Sequence, residues 1–391
     1  MKPELLSPVQ DLVSLRAAIE AGADAVYFGL KEFSMRAAAK NFKLSELKKV
    51  VDICHKNKIK AYLALNTIVY ENELDRIKKI LKKAKQAKID AIHAWDMSIV
   101  KESLKLKIPV HLSTQASVSN SEAAKFYKKL GIKRIILARE CSLEQIKKIK
   151  KETKMEIEVF IHGAMCVSVS GRCFISQFEF GKSANRGECL QPCRRDYIIE
   201  DEEGNKLRLG KNYVLSPKDL CALPFIEKLI KAGIDSFKME GRNRSPEYVK
   251  TVTEVYREAI DNRNFNRKKL LDKLKTVYNR GFSSGFFLGI PTKDDWTDVY
   301  GSKATTKKVY IGKILHFYNK IKVAEIKIET KELKLGDKLM IQGPTSGVFE
   351  QKLTSMEIKH KKIKQAKKGS VIAVKLKKIA RKNDKIYIII K

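Results

Sequence analysis

Short apolar runs alternate from residue 4 onward with stretches whose apolar positions recur at helical spacing. That is the βαβα order from which parallel sheets are built. It predicts strands at residues 5–7, 25–29, 60–65, 91–95, 110–113, 134–138, 156–161 and 236–240. Ala-Gly-Ala-Asp at 21–24, Leu-Gly-Ile at 130–132 and Ala-Gly-Ile-Asp at 232–235 put a glycine where a helix must end just before a strand. Eight such strands predict an α/β fold of the TIM type, a closed (β/α)8 barrel. An open doubly wound sheet would need a switch point and usually a glycine-rich phosphate fingerprint, and the sequence shows neither.

One connection breaks the rhythm. After the seventh strand the chain runs from Gly163 to about Val214 before a helix expected to start near Pro217. A loop of that length inside a compact domain is usually functional. This one leaves the C-terminal end of a barrel strand, the face where barrel active sites are built. It holds four of the seven cysteines, Cys166, Cys173, Cys189 and Cys193, within 28 residues. Structural zinc sites favour close Cys-x2-Cys pairs, whereas these gaps are six, fifteen and three. Irregular gaps suit an iron–sulfur cluster, whose thiolates come from different turns. Zinc, a disulfide in an oxidising setting and simple burial are the alternatives.

Residues 246–280 read as helical and 279–286 as a turn-rich junction, and beyond them β alternation takes over, as in 322–329, 337–342 and 385–390. The expected domains are a barrel over 1–265 with its cysteine-rich loop 163–214, a helical and turn junction over 266–304, and a small antiparallel β-barrel over 305–391. The chain carries 80 Lys and Arg against 45 Asp and Glu, a formal charge of +35. Residues 301–391 hold 24 basic against 7 acidic residues, so nearly half the surplus falls in under a quarter of the length. Such asymmetry points to a surface for a polyanion, RNA or DNA first. A lysine-rich proteome, common in heat-loving organisms, is the plainer explanation. The opening MKPELLSPVQDL lacks the apolar core of a signal peptide, and no stretch approaches eighteen uninterrupted apolar residues. A cytoplasmic protein with no membrane partner is therefore expected.

Several motifs together resemble the collagenase-like peptidase family U thirty-two (U32) over nearly the full length. Glu158-x-Phe160-x-x-Gly163-Ala164-Met165-Cys166, continued by Gly171-Arg172-Cys173 and Ser176, resembles its signature. Further matches are Asp24-Ala-Val-Tyr-Phe-Gly29, Phe33-Ser-Met-Arg-Ala-Ala-Ala-Lys-Asn-Phe42, Ser113-Thr-Gln115, Asn185-Arg-Gly187, Gln191-Pro-Cys-Arg194, Ser216-Pro-Lys-Asp-Leu-Cys221 and Glu240-Gly-Arg242. Arg195 stands where many members carry an aromatic residue. Members are named as proteases, yet the better understood branches look like iron–sulfur proteins that hydroxylate RNA bases or ubiquinone precursors, with prephenate implicated and oxygen not required. The resemblance implies a 4Fe–4S cluster on Cys166, Cys173, Cys189 and Cys193. Cys221 is the alternative fourth ligand, since some branches use that position in place of Cys193. By length the chain is closer to the tRNA-acting branch than to the rRNA-acting one.

Strand ends in a barrel face one another, so Arg36, Asn66, Asp96, Gln115, Arg139, Glu140, His162, Lys238, Glu240 and Arg242 are candidates to ring one cavity. A dicarboxylate such as prephenate needs forked, permanent cations, and Arg36, Arg139 and Arg242 suit it, with Asn66 and Gln115 as further binding candidates. The plainer alternative is that each arginine neutralises a neighbouring carboxylate, Arg139 beside Glu140 or Arg242 beside Glu240. His162 is a candidate general acid or base, and Lys238 and Glu240 join it as candidate catalytic groups. Glu158 shares strand parity with His162 and is expected to face the barrel interior, where Lys238 is a possible cationic partner. Cys54 and Cys141 read as core packing. No Gly-x-Ser-x-Gly elbow and no His-Glu-x-x-His zinc motif occurs, which leaves a peptidase only a pairing such as Cys166 with His162. The leading reading is a prephenate-dependent RNA hydroxylase acting on a pyrimidine of tRNA or rRNA. A peptidase and a non-catalytic RNA-binding iron–sulfur protein are the alternatives.

Overall fold

The computed structural model describes residues 2–208 and 215–390. The eight expected strands form as β1 Glu4–Pro8, β2 Ala25–Gly29, β3 Lys60–Ala64, β4 Ala91–Ala94, β5 Val110–Leu112, β6 Arg134–Ile136, β7 Glu156–Gly163 and β8 Ser236–Met239. Each pairs in parallel with the next, and β8 pairs with both β7 and β1, so the barrel closes. Strand residues that point outward, such as Leu5, Val26 and Ile92, bury against the surrounding helices in one large apolar core.

Inside the barrel the alternation of strand side chains delivers something else. TIM barrels are usually filled by layers of Val, Ile and Leu. Here Leu6, Ala25, Tyr27, Tyr62 and Ala91 form a small apolar cluster, and His93, His111, Arg134, Glu158 and Lys238 are buried with them. Unpaired charges would be costly at that depth, and none is left unpaired. Arg134 bonds Glu4 at 2.5 Å and Glu158 at 3.3 Å, and Lys238 Nζ donates to Glu158 at 2.9 Å. The partner expected for Glu158 is therefore the one the fold supplies.

Two local expectations need correction. No helix starts at Pro217: residues Asp219–Cys221 form a strand antiparallel to the end of β7, and the helix Ile226–Lys231 comes later. β7 has 8 residues against 3 in β6 and 4 in β8, so its overhanging backbone groups need another partner. The returning chain provides it. Val214, the expected end of the loop, lies outside the described residues. The second correction concerns parity. Lys238 pairs with Phe160 but Met239 pairs with His162, which leaves Ile161 as an extra residue on β7. Such a bulge reverses the faces beyond it.

After the helices Pro246–Asp261 and Arg267–Lys275 come β9 Lys307–Tyr318, β10 Val323–Ile328, β11 Lys338–Gly343, β12 Gly347–Lys352, β13 Val371–Lys375 and β14 Lys385–Ile390. With two short pieces they make an eight-stranded antiparallel sheet in the order β12-β11-β14-β9-β10-β13 around its own apolar core. The expected C-terminal barrel is thus a curled sheet. Gln351 of β12 bridges toward its far side, donating to the Lys375 carbonyl and accepting from the Lys377 amide, both at 2.9 Å. Met340 and Val348 pack on Ala17 of the helix Leu12–Glu20, which docks the sheet on the barrel.

Candidate active site at the barrel mouth

The C-terminal ends of the barrel strands open into a cavity of about 60 Å3 lined by Tyr27, Arg36, Asn66, His93, Gln115, Arg139, Phe160, Cys166, Gly171, Lys238, Glu240 and Arg242, among others. Seven of the ten ringed candidates meet there. The other three do not. Asp96 caps the helix Met97–Lys105, accepting from Ser98 N at 2.9 Å, and Glu140 is exposed. His162, turned by the bulge, lies against the Tyr256 hydroxyl at 3.3 Å, with the rings of Tyr248, Tyr256 and Phe282 around it. Burial holds its pKa down at about 4, so it is neutral at pH 7. No hydrogen bond joins it to Cys166, and the dyad a thiol peptidase would use is not formed.

Charge in the cavity is unbalanced. Glu240 accepts from Arg36 Nε at 3.2 Å. Burial would raise its pKa, but the attraction of Arg36, Arg139 and Arg242 outweighs that and holds it below the usual range. Arg139 donates to the Ala164 carbonyl at 2.6 Å and stacks 3.9 Å over Phe160, leaving its buried Nε without a partner. Arg242 is 3% exposed, and its Nη1 is buried and unsatisfied. Among the described residues this guanidinium makes no ion pair. Burial first, then repulsion from Arg36, lowers its pKa to about 10 against the pull of Tyr27 and Glu240. Neither of the neutralising pairs considered from sequence, Arg139 with Glu140 or Arg242 with Glu240, is present. Gly29 makes room for Arg242, because a Cβ there would overlap Nη1.

Below the arginines, Lys238 Nζ donates to Glu158 and to His93 Nδ1, both at 2.9 Å. That bond places the His93 proton on Nε2, which faces His111 Nδ1 at 3.4 Å. Burial, then the charge of Lys238, drives the His93 pKa well below 6.5, and burial lowers that of Lys238 as well. The imidazoles are neutral. Tyr27, His93 and His111 were missed in the sequence because each sits inside a short run dominated by apolar neighbours. The available signal was inward parity, His93 with Ala91 and Tyr27 with Ala25.

Asn66 and Gln115 hold the rim. Gln115 Nε2 donates to the Asn66 carbonyl at 3.2 Å, and its own carbonyl accepts from Arg172 at 2.8 Å. Gly171, at φ +76, lies so close that a Cβ would approach Gln115 Cγ to 2.8 Å. The cysteine-bearing loop is thereby seated on the mouth. Elsewhere Arg186 pairs with Glu73 at 2.5 Å, Asn185 accepts from Cys173 N at 2.9 Å, and Arg194 reaches the Met165 carbonyl and Ser216. Arg195 covers the ring of Phe180 at 4.3 Å.

Cys166, Cys173, Cys189 and Cys193 are free thiols on this loop. Cys166 lines the cavity itself. Burial raises the thiol pKa of Cys189 and of Cys193, and each is raised further by the charges of Cys166 and Cys173. Four free thiols on one loop, with Cys166 at the cavity, are a donor set whose chemistry suits an iron–sulfur cluster. Cys221 stands apart, 2% exposed, with the Tyr256 hydroxyl donating to its sulfur at 3.7 Å. Cys54 and Cys141 are core residues with thiols pushed up by burial to about 12 and about 11.

A larger cleft of about 770 Å3 lies between the helix Pro246–Asp261 and the C-terminal sheet. Of its lysines, Lys250, Lys273, Lys308 and Lys338 are each paired with Glu254, Glu247 or Glu350, and none of them is buried as Arg242 is in the mouth. Among the described residues no helix is long and apolar enough to cross a membrane.

A barrel with a thiol-bearing loop over a cationic mouth defines the class. The chain belongs to peptidase family U32, which it matches over residues 10–297. It is 43% identical to an uncharacterized protease of Methanocaldococcus jannaschii, over 99% of this chain and 98% of that one. It is 40% identical to a collagenase of Porphyromonas gingivalis, over 98% and 97%. With the tRNA hydroxylation protein P1 of Bacillus subtilis it shares 36% identity over 88% of this chain and 84% of the other.

Proposed function

We propose that this protein is an iron–sulfur enzyme that hydroxylates a pyrimidine in tRNA with a small dicarboxylate, prephenate by resemblance, as co-substrate. The observation that carries the reading is the mouth cavity, where three guanidiniums face one carboxylate and the buried one, Arg242, has no anion of its own. An anionic ligand would supply the missing charge through forked hydrogen bonds. At about 60 Å3 the cavity takes one carboxylate group rather than a whole ring. The rest of the ligand would lie outward, toward Cys166 and Gly171. A 4Fe–4S cluster on Cys166, Cys173, Cys189 and Cys193 would supply electron transfer beside that ligand.

The chain's own residues have distinct parts. Arg139 and Arg242 bind the anion, Arg36 orients Glu240, and Lys238, hydrogen-bonded below to a neutral imidazole, holds a proton at the cavity floor. The relative named for tRNA hydroxylation supports an RNA substrate, and the basic C-terminal domain suits one. The relative named collagenase keeps peptide hydrolysis as the competing outcome. The deciding experiment measures hydroxylated pyrimidines in tRNA and rRNA with and without the gene, alongside gelatin cleavage by anaerobically purified protein. Loss of a hydroxylated nucleoside from tRNA is expected. Unchanged nucleosides, with gelatin cleavage abolished by Cys166→Ala, would reverse the assignment.

A further inference from the structure

The surplus of lysines in the C-terminal domain is compatible, in sequence, with a polyanion surface and equally with an ordinary solvated face. The register of the sheet gives it an order. Lys385 of β14 pairs with Lys313 of β9, and Lys313 pairs with Lys327 of β10. Directly paired residues share a face, and Ile314, Ile326 and Ile386 beside them point into the core, so all three lysines point outward. Three ammonium groups thus stand side by side across adjacent strands, over about 10 Å. Like charges in directly opposed positions destabilise a sheet. Only Lys313 has an acidic partner among the described residues, Glu329 at 3.2 Å.

Its surroundings give the row a direction. On β11, Gln342 pairs with Lys385 and donates at 2.8 Å to Glu247, in the first turn of the helix that follows β8. Helices of this barrel begin at the mouth end, so the row starts at the rim of the mouth and runs outward across the sheet. Farther along the same face His316 and Tyr318 are exposed aromatic side chains with ring centroids 4.5 Å apart. Lys375 stands across β10 from Tyr318, both opposite Val323. The acids on this face are Glu325, opposite His316, and Glu329, the partner of Lys313.

The geometry points to a docking track for the phosphate backbone of structured RNA along Lys385, Lys313 and Lys327, with His316 and Tyr318 as a stacking surface beyond it. The inference rests on the RNA reading above and adds the place and orientation of the substrate. Phosphates offset the repulsion that the sheet otherwise carries, and stacking on exposed rings tolerates any base. The track leads an RNA from the C-terminal sheet to the rim of the cavity.

The test uses the whole protein and an unmodified tRNA transcript, with binding followed by fluorescence anisotropy over a range of salt. Replacing the row as K313Q/K327Q/K385Q should lower the slope of log Kd against log salt by about two to three, and weaken binding at least about tenfold near physiological salt. The same variant should melt no lower than the parent, because a cross-strand repulsion has gone. A control that removes equal charge from a barrel helix, K79Q/K82Q/K83Q, should keep the parental slope. An unchanged slope in the row variant, or an equal loss in the control, overturns the track while leaving RNA as the substrate. If the parent binds no tRNA, the RNA reading itself fails together with the track.

Discussion

Arg36 Nε lies 3.2 Å from Oε1 of Glu240, and this is the one ion pair that any of the three cavity guanidiniums makes among the described residues. The consequence is a division of labour. Arg36 is committed to a resident carboxylate, whereas Arg139 and Arg242 keep donors for a visitor.

Arg242→Lys should therefore raise the KM for the carboxylate co-substrate by roughly tenfold or more while leaving iron content unchanged. An ammonium keeps the charge but loses the fork, and a charge-assisted hydrogen bond is worth about 1.5–3 kcal/mol. Steady-state kinetics with both substrates varied checks this. A KM that rises for RNA instead would place Arg242 outside the anion site.

Alanine at Cys166, Cys173, Cys189 or Cys193 should each abolish the brown colour of anaerobically prepared protein, which is expected to hold about four iron and four sulfide per chain. Cys221→Ala should retain both, since its sulfur is engaged with Tyr256 and not with the loop. Iron and sulfide analysis decides the fourth ligand. Iron lost with Cys221 and kept without Cys193 would show that the loop rearranges on loading.

Glu158→Gln should cost about 3–5 kcal/mol of stability, because it strips Lys238 and Arg134 of a shared counter-charge where neither side chain is more than 5% exposed. The double variant Glu158→Gln with Lys238→Met should lose less than the sum of the two single changes. Urea unfolding of the four proteins provides the comparison, and simple additivity would mean that the pair is not coupled.

Acid should unfold the protein through its buried imidazoles. His162 titrates near 4 in the folded chain against an ordinary 6.5, with burial as the cause, and burial also pushes His93 and His111 well down. Below pH 6.5 the unfolded chain takes up protons that the folded chain refuses. Stability is thus complete above pH 6.5 and falls as pH drops toward 4. The fall is about 1.4 kcal/mol per pH unit for each histidine. The urea midpoint should drop between pH 7 and pH 5, and His162→Leu should make the drop shallower. A midpoint that does not move over that interval would contradict the neutral imidazoles.

Much of this architecture was legible in the alternation of apolar runs, because each barrel strand hides one face under a helix and leaves Val, Ile or Leu there to be read. The closed barrel and seven of the ringed candidates followed from that. His162 did not, because a single extra residue at Ile161 inverts parity and nothing in Val-Phe-Ile-His announces a bulge. The strand at Asp219–Cys221 was missed for a related reason: it exists to pair the overhang of β7, a need set by a distant element. Of the polar barrel interior only the Glu158–Lys238 pair was anticipated; His93 and His111 were not, since they become neighbours of Lys238 only when β4, β5 and β8 close around one axis. The lysine row depends on strand register, which periodicity leaves open.

Gly187 closes the contact between the loop that bears the thiols and the loop that bears Arg36. Its carbonyl accepts from the Ala37 amide at 3.0 Å, and at φ +93 a Cβ on it would overlap the Ser34 carbonyl oxygen. The two loops are thus bolted backbone to backbone, with no side chain between them to act as a cushion. Whatever tightens the sulfur-bearing segment is transmitted directly to the position of the Arg36 guanidinium. Affinity for an anion in the mouth and order in the cysteine loop are then two readings of one mechanical state.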